Sequence, residues 1–217
     1  MKIEELFHPA AMPADIIVTP NKATVIERSV KDGLKYHYGK KDWDKSGVLH
    51  SPVELMSPEW LEWKAWDVGD KVGCICPAAI AGARRLKENN PRVSLLGLDF
   101  DSPQAPKLSE LITELKDFDG FFYTTKSHQK DKRGVTCDRY RVFLAYSRPV
   151  THEENHRIHN LLSIDLGHDS ACGDGTRVFM PSVVGCQYAP FGGKAAVDVE
   201  HLLSICDKRG VTAKKDF

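Results

Sequence analysis

Several things are missing from this chain, and each absence narrows what it can be. No apolar run approaches the roughly 20 residues needed to cross a bilayer, and the N-terminal MKIEELFHPAAMPADII lacks the basic-then-apolar order of a secretory leader. A cytoplasmic protein without a membrane partner is therefore expected. An excess of one charge is absent too, since 30 Lys and Arg balance 30 Asp and Glu. That balance excludes a generally basic protein that coats nucleic acid, so any phosphate-binding surface must be local. Cysteine is sparse for a stapled scaffold: six in 217 residues, with no C-x-x-C. Cys74 and Cys76 are separated by one residue, and Cys172 and Cys186 lie far off. Scattered reduced thiols fit this spacing better than a disulfide framework or a structural zinc site. A phosphate loop is missing as well. Gly192-Gly193-Lys194 comes nearest, but Tyr188 replaces the first glycine and Ala195 the required hydroxyl. There is no internal repeat and no low-complexity segment.

What is present is enough apolar residue, 41% of the chain, to bury one good core. Strand-like runs stand at DIIVT (15–19), ATVIE (23–27), VSLLGLDFD (93–101), GFFYTTK (120–126), RYRVFLAYS (139–147) and RVFMPS (177–182). Pro77 suits the first turn of a helix over 77–89. Leu108, Leu111, Ile112, Leu115 and Phe118 trace one helical face, and a helix from Thr151 turns Ile158, Leu161, Leu162 and Leu166 inward before Gly167. The alternation predicts a mixed α+β core over 70–207, with an N-terminal α/β extension (1–69) and a polar tail (208–217) expected to fray. In the extension, Trp60, Trp63 and Trp66 suit one side of a helix, where packing is favoured over a base-stacking platform. Residues 33–47 read as an exposed loop or hairpin.

The polar residues at the strand ends carry the chemistry. Residues 95–98 form a buried strand that ends as it reaches Asp99 and Asp101. Side chains alternate along a strand, so these carboxylates share a face about 6.5–7 Å apart. Both can then lean toward two divalent ions about 3.5–4 Å apart, the arrangement an in-line phosphoryl displacement uses. The next apolar strand ends at Ser127 and His128, whose hydroxyl and imidazole can donate to phosphate oxygens. Arg139 and Arg141 alternate onto one face of the following strand, where they require an anion or carboxylate. Asp169 precedes Arg177 by eight residues, and Asp174, in a Gly-Asp-Gly turn, is the other candidate for a third carboxylate. Lys126, Lys130, Lys132, Arg133, Arg139 and Arg141 make a local basic run, opposed by Asp131 and Asp138. Such runs are commonly solvated loops, but this one directly follows the Ser-His pair.

Two other motifs compete. His152-Glu153-Glu154-Asn155-His156 satisfies H-E-x-x-H, yet it opens a helix straight after Arg148-Pro149-Val150, where Thr151 and Glu154 form a capping box. A capped, solvated helix is expected there instead of a zinc protease. LDFDS could also be the nucleophile strand of a haloacid-dehalogenase-type phosphatase, but Gly173-Asp174-Gly175 is a poor second acidic motif and the arginines stay unexplained.

The motifs LLGLDFDSP, YTTKSHQK, RYRVFLAYSRPVT and DSACGDGTRVFMPS, in this order over about residues 70–185, resemble the archaeo-eukaryotic primase superfamily, in particular the primase-polymerases of phages and plasmids. That resemblance implies an RRM-like catalytic sheet. It implies Asp99, Asp101 and Asp169 as ligands of Mg²⁺ or Mn²⁺, and Ser127, His128 and Lys130 at the nucleotide's phosphates. Arg139, Arg141 and Arg177 would line the nucleotide or template. The activity implied is a DNA primase or DNA polymerase that makes or extends primers on single-stranded DNA from nucleoside triphosphates. Members are commonly fused to a helicase; this sequence carries none, so a helicase, if one acts, is expected as a separate chain or as a part of the protein outside these 217 residues. A non-catalytic replication-accessory or origin-binding module of the same fold is the alternative.

Overall fold

The computed structural model describes residues 2–12, 17–29, 35–38, 48–49, 71–79, 92–175, 177, 179 and 186–213. The chain is α+β, with two sheets among the described residues. The larger is built around β9 (Tyr140–Val150). On one side β9 pairs antiparallel with β7 (Arg92–Phe100), which in turn pairs with β6 (Ala78–Ala79). On the other side its first half pairs antiparallel with β8 (Gly120–Thr124), and Tyr146 pairs in parallel with Val197 of β11 (Ala196–Val197). β10 (Tyr188–Pro190) extends the sheet beyond β8, and β1 (Pro9–Ala10) beyond β11. The smaller sheet joins β2 (Ile17–Ser29) to β3 (Lys35–Tyr38), β4 (Val48–Leu49) and β5 (Lys71–Cys76).

Strand alternation assigns the two faces of the larger sheet. Leu96, Leu98, Phe100, Tyr140, Val142, Leu144 and Tyr146 point to one side. There they pack against α1 (Ile3–Leu6), α2 (Leu108–Glu114), α3 (His152–Leu166) and α4 (Val199–Lys208), through Leu6, Leu111, Ile158, Leu161 and Leu202. Leu95, Phe121, Tyr123, Phe143 and Ala145 point to the other side, where Cys172 and Phe179 cover them. Gly97 makes that cover possible. A Cβ on Gly97 would lie 2.8 Å from the Phe179 ring, so a side chain here would push the ring off β7.

The elements of the core follow the sequence expectation closely, down to the Thr151–Glu154 capping box and the left-handed Gly167 that ends α3. Other expectations need correction. The helix foreseen from Pro77 does not begin there: Pro77 O accepts from Ser94 and Leu95 N–H, and Ala78–Ala79 joins the sheet instead; residues 80–89 lie outside the described residues. The runs at 15–19 and 23–27 belong to one strand across 17–29, because 71–76, which carries no strand signal of its own, pairs with residues 19–24. Residues 35–38 pair back with 25–29 of β2, so the pairing reaches outside the loop or hairpin expected at 33–47, whose other residues lie outside the described residues. The tail is not frayed through residue 213. Val211 N–H donates to Cys206 O and Gly210 N–H to Asp207 O, with Gly210 at φ 63°, which closes α4 in a Schellman motif. Arg157 and Asn160 then donate to Val211 O and Thr212 O. Trp60, Trp63, Trp66 and most of the 177–182 strand lie outside the described residues.

Candidate active site

β7 and β8 end, and β9 begins, at the same edge, and their register aligns Asp99, Arg141 and Tyr123 in one row. Arg141 Nε and Nη2 each lie 3.0 Å from Asp99 Oδ2, and Nη1 donates to Tyr123 Oη at 3.4 Å. The guanidinium is 5.9 Å from the centroids of both Tyr123 and Phe179, so it is flanked by aromatic rings as well. Burial alone would lower the Arg141 pKa, but Tyr123 and Asp99 outweigh it and raise it above the ordinary arginine value. Burial pushes the Tyr123 hydroxyl up to about 12, so it stays protonated.

Asp101 follows one step beyond the strand. Its Oδ1 lies 2.6 Å from Arg139 Nε and its Oδ2 contacts Lys132 Nζ. Arg139, expected at the nucleotide or template, is only 2% exposed, and its remaining contacts run inward. Nη1 donates to Ser127 O and Lys130 O, and Nη2 to Val135 O, each at 2.8 Å. Its role in this structure is to tie the 127–135 segment to the sheet. The physical reason is burial: a guanidinium without solvent must satisfy its fork with carbonyls.

The Ser-His pair sits in the turn that Arg139 holds. His128 N–H donates to Thr125 O, and Ser127 Oγ is 3.3 Å from Thr125 Oγ1. Arg139 N–H donates to His128 Nδ1 at 3.1 Å. An accepting Nδ1 carries no proton, so the neutral ring holds its hydrogen on Nε2, which lies 4.0 Å from Asp138 Oδ1. Asp138 also accepts from Leu108 N–H and from Gln129, linking this turn to the start of α2. The Lys130 side chain is exposed beside the pair.

Asp169 lies just past the end of α3, at the start of the 3₁₀ turn Ser170–Gly173. Its N–H donates to Asp99 O at 2.9 Å, its Oδ1 caps the 3₁₀ turn Ser170–Gly173 through Ala171 N–H, and its Oδ2 pairs with Arg177 at 3.2 Å. The backbone bond sets the Asp169 main chain beside that of Asp99, while its carboxylate faces Ala171 N–H and Arg177. Asp174 lies past that turn, where its O accepts from Arg177 N–H. The nine residues expected at the site are thus linked in two groups along the strand ends: Asp99, Arg141, Asp169 and Arg177 in one, and Asp101, Arg139 and the turn of Ser127, His128 and Lys130 in the other, with Arg139 as an internal brace. Sequence reasoning missed Tyr123 and Asp138 as partners of the site. A tyrosine in an apolar strand and an aspartate in a charged loop carry no distinguishing signal.

Oxygen-only donors suit Mg²⁺ or Mn²⁺ and not a softer ion. Among the described residues no three of His, Cys, Asp and Glu are drawn into a closed metal-binding group. The reason is local: Asp99, Asp101 and Asp169 are each turned toward a cationic side chain, and coordination requires them to rotate away. The donor type fits the ion, and the rotation is one of exposed side chains for Asp101 and Asp169.

The competing motif has a different environment from the one expected. The capping box is present, and Glu154 is held below the usual carboxylate range chiefly by its hydrogen bonds from Arg148. The histidine face of α3 is not solvated, however. His152 Nδ1 accepts from Gly175 N–H, the His152 and His156 rings meet edge to face at 4.6 Å, and His159 packs at 5.1 Å from His168. That face is the seam on which the 3₁₀ turn and Asp169 rest. Gly193 explains the other false lead: its ideal Cβ would lie 1.9 Å from the Asp117 carbonyl carbon, so this glycine serves a backbone crossing. Among the described residues no cysteine is in a disulfide, and burial pushes Cys172 up to about 12, which makes it a packing residue.

No protein-family model matches this chain, and neither does any curated protein or any solved structure.

Proposed function

We propose that this chain is a metal-dependent nucleotidyltransferase of the primase-polymerase kind, acting on a single-stranded DNA template with nucleoside triphosphates. In this reading the larger sheet is an RRM-like catalytic sheet whose site lies at the strand-end edge that carries Asp99 and Arg141. The observation that supports it is convergence: the Asp169 N–H bond to Asp99 O ties the main chain of the third aspartate to that of the first, and Arg139 joins Asp101 to the Ser-His turn.

Asp99, Asp101 and Asp169 would hold Mg²⁺ or Mn²⁺. When bound, the ions lower the pKa of the attacking hydroxyl and neutralise the triphosphate and its pyrophosphate leaving group. Ser127 Oγ, His128 Nε2–H and Lys130 donate to phosphate oxygens, and Arg177 meets the charge on the opposite flank. Arg139 positions the Ser-His turn, and Arg141 fixes the Asp99 carboxylate. The reading is tested with purified protein, a primed or unprimed oligonucleotide, labelled triphosphates and Mn²⁺. Product is expected from wild type, with a loss on the order of 10³-fold for Asp101→Ala and Asp99→Asn. Single-stranded DNA binding without product in any condition would favour an accessory module.

A further inference from the structure

Asp101 is held by two cations of unlike character. Arg139 is buried and fixed by three carbonyls from residues 127, 130 and 135. Lys132 contacts the other carboxylate oxygen with a side chain that is 48% exposed. It sits at the tip of a hairpin: Lys132 N–H donates to Val135 O, Gly134 N–H to Asp131 Oδ1, and Arg133 and Gly134 have φ of 60° and 79°. Arg139 grips this hairpin at its base, through Lys130 O and Val135 O, so the Lys132 side chain can swing without disturbing the Ser-His turn.

We propose that Lys132 is a displaceable occupant of Asp101, drawn off by an incoming nucleoside triphosphate so that Asp101 is released to a divalent cation. The proposal deepens the nucleotidyltransferase reading and rests on it. Half-exposed Lys–Asp pairs are weak and readily exchanged. A lysine ammonium on a flexible stem can pass between anions, whereas a forked, buried arginine cannot. Charge points the same way. Asp99, Asp101 and Asp169 face Arg141, Arg139, Lys132 and Arg177, three negative groups against four positive ones. A bare divalent ion meets no net attraction there, and a triphosphate with about four negative charges reverses the balance. Metal and nucleotide therefore bind with positive coupling, and Lys132 carries part of it.

The test measures Mn²⁺ binding to the full chain by calorimetry and by electron paramagnetic resonance. It is done with and without a nonhydrolysable triphosphate, counting the Mn²⁺ held by nucleotide alone. Wild type should bind Mn²⁺ more tightly with nucleotide. Lys132→Gln should bind Mn²⁺ about three- to tenfold more tightly than wild type without nucleotide, and its nucleotide effect should shrink by the same factor. Arg133→Gln removes the same charge from the same hairpin and should behave as wild type. A Lys132→Gln protein indistinguishable from wild type overturns the proposal, and so does an equal shift in Arg133→Gln, which would make the effect one of bulk charge. Absence of Mn²⁺ uptake by wild type in both conditions would instead overturn the nucleotidyltransferase reading, and the exchange with it.

Discussion

On the helix-covered face of the larger sheet, Leu96, Leu98, Val142 and Leu144 meet Leu111, Ile158 and Leu161 in an apolar layer. On the other face the same strands carry Leu95, Phe121 and Phe143 toward the middle and Asp99, Arg141 and Tyr123 in a row at one edge, where β7 and β8 end and β9 begins. The first face needs only volume and burial. The second holds charge at partial burial, and every charge there has a named partner. One sheet therefore separates stability from chemistry by residue parity, since a single step along β7 moves from Leu98 to Asp99.

The separation can be broken most forcefully at the buried pair. Arg141→Met leaves the Asp99 carboxylate without its partner and should cost about 3–5 kcal/mol, measured by urea unfolding. Adding Asp99→Leu should recover most of that loss, because an apolar pair replaces an ionic one. Recovery by the second substitution is the decisive result; a double variant weaker than the single would refute the picture. On the opposite face, Leu161→Ala should cost about 3 kcal/mol while the folded protein keeps its nucleotide and Mn²⁺ affinity. A loss of binding larger than the loss of folded protein would show that the faces are not independent.

The seam between α3 and the 3₁₀ turn should make the protein acid-sensitive. Burial lowers His159 well below its ordinary value and brings His168 to about 4. Both are neutral when folded, whereas the unfolded chain takes up protons below about pH 6.5. Stability is unaffected by them above that pH and falls as pH drops from about 6.5 toward 4, by up to about 3 kcal/mol for His168 alone. Denaturant midpoints between pH 7.5 and 4.5 would reveal the slope, and His168→Gln should flatten it. The smallest effect is expected at the start of α3: Thr151→Ala removes the cap and should cost about 1 kcal/mol, seen as a lowered Tm.

Most of the core was legible because its signals are local. The apolar runs at 93–101 and 139–147, the Leu108–Leu115 spacing and the Thr151-x-x-Glu154 box each predict one element from its own residues. What stayed hidden depends on partners distant in the chain. β10 and β11 are short, and they exist because Phe122 and Tyr146 offer free edges. α4 did carry signals, Asp198 at its start and Gly210 past its end, but the polar Lys208–Phe217 composition masked them. The candidate site was readable as an inventory of polar strand ends. The division of labour between Arg139 and Arg141 was not, because alternation says which face a side chain takes and nothing about how deeply it is buried.

The bond from Asp169 N–H to Asp99 O also has a meaning for the order in which the molecule is made. Translation delivers β7, β8 and β9 before Asp169, and they can pair while the segment that follows is still unsynthesised. Asp169, Arg177 and the strand edges at 188–190 and 196–197 emerge only later. A nascent chain that has not yet reached residue 169 therefore carries Asp99 and Asp101 on a strand end that still lacks this backbone tie.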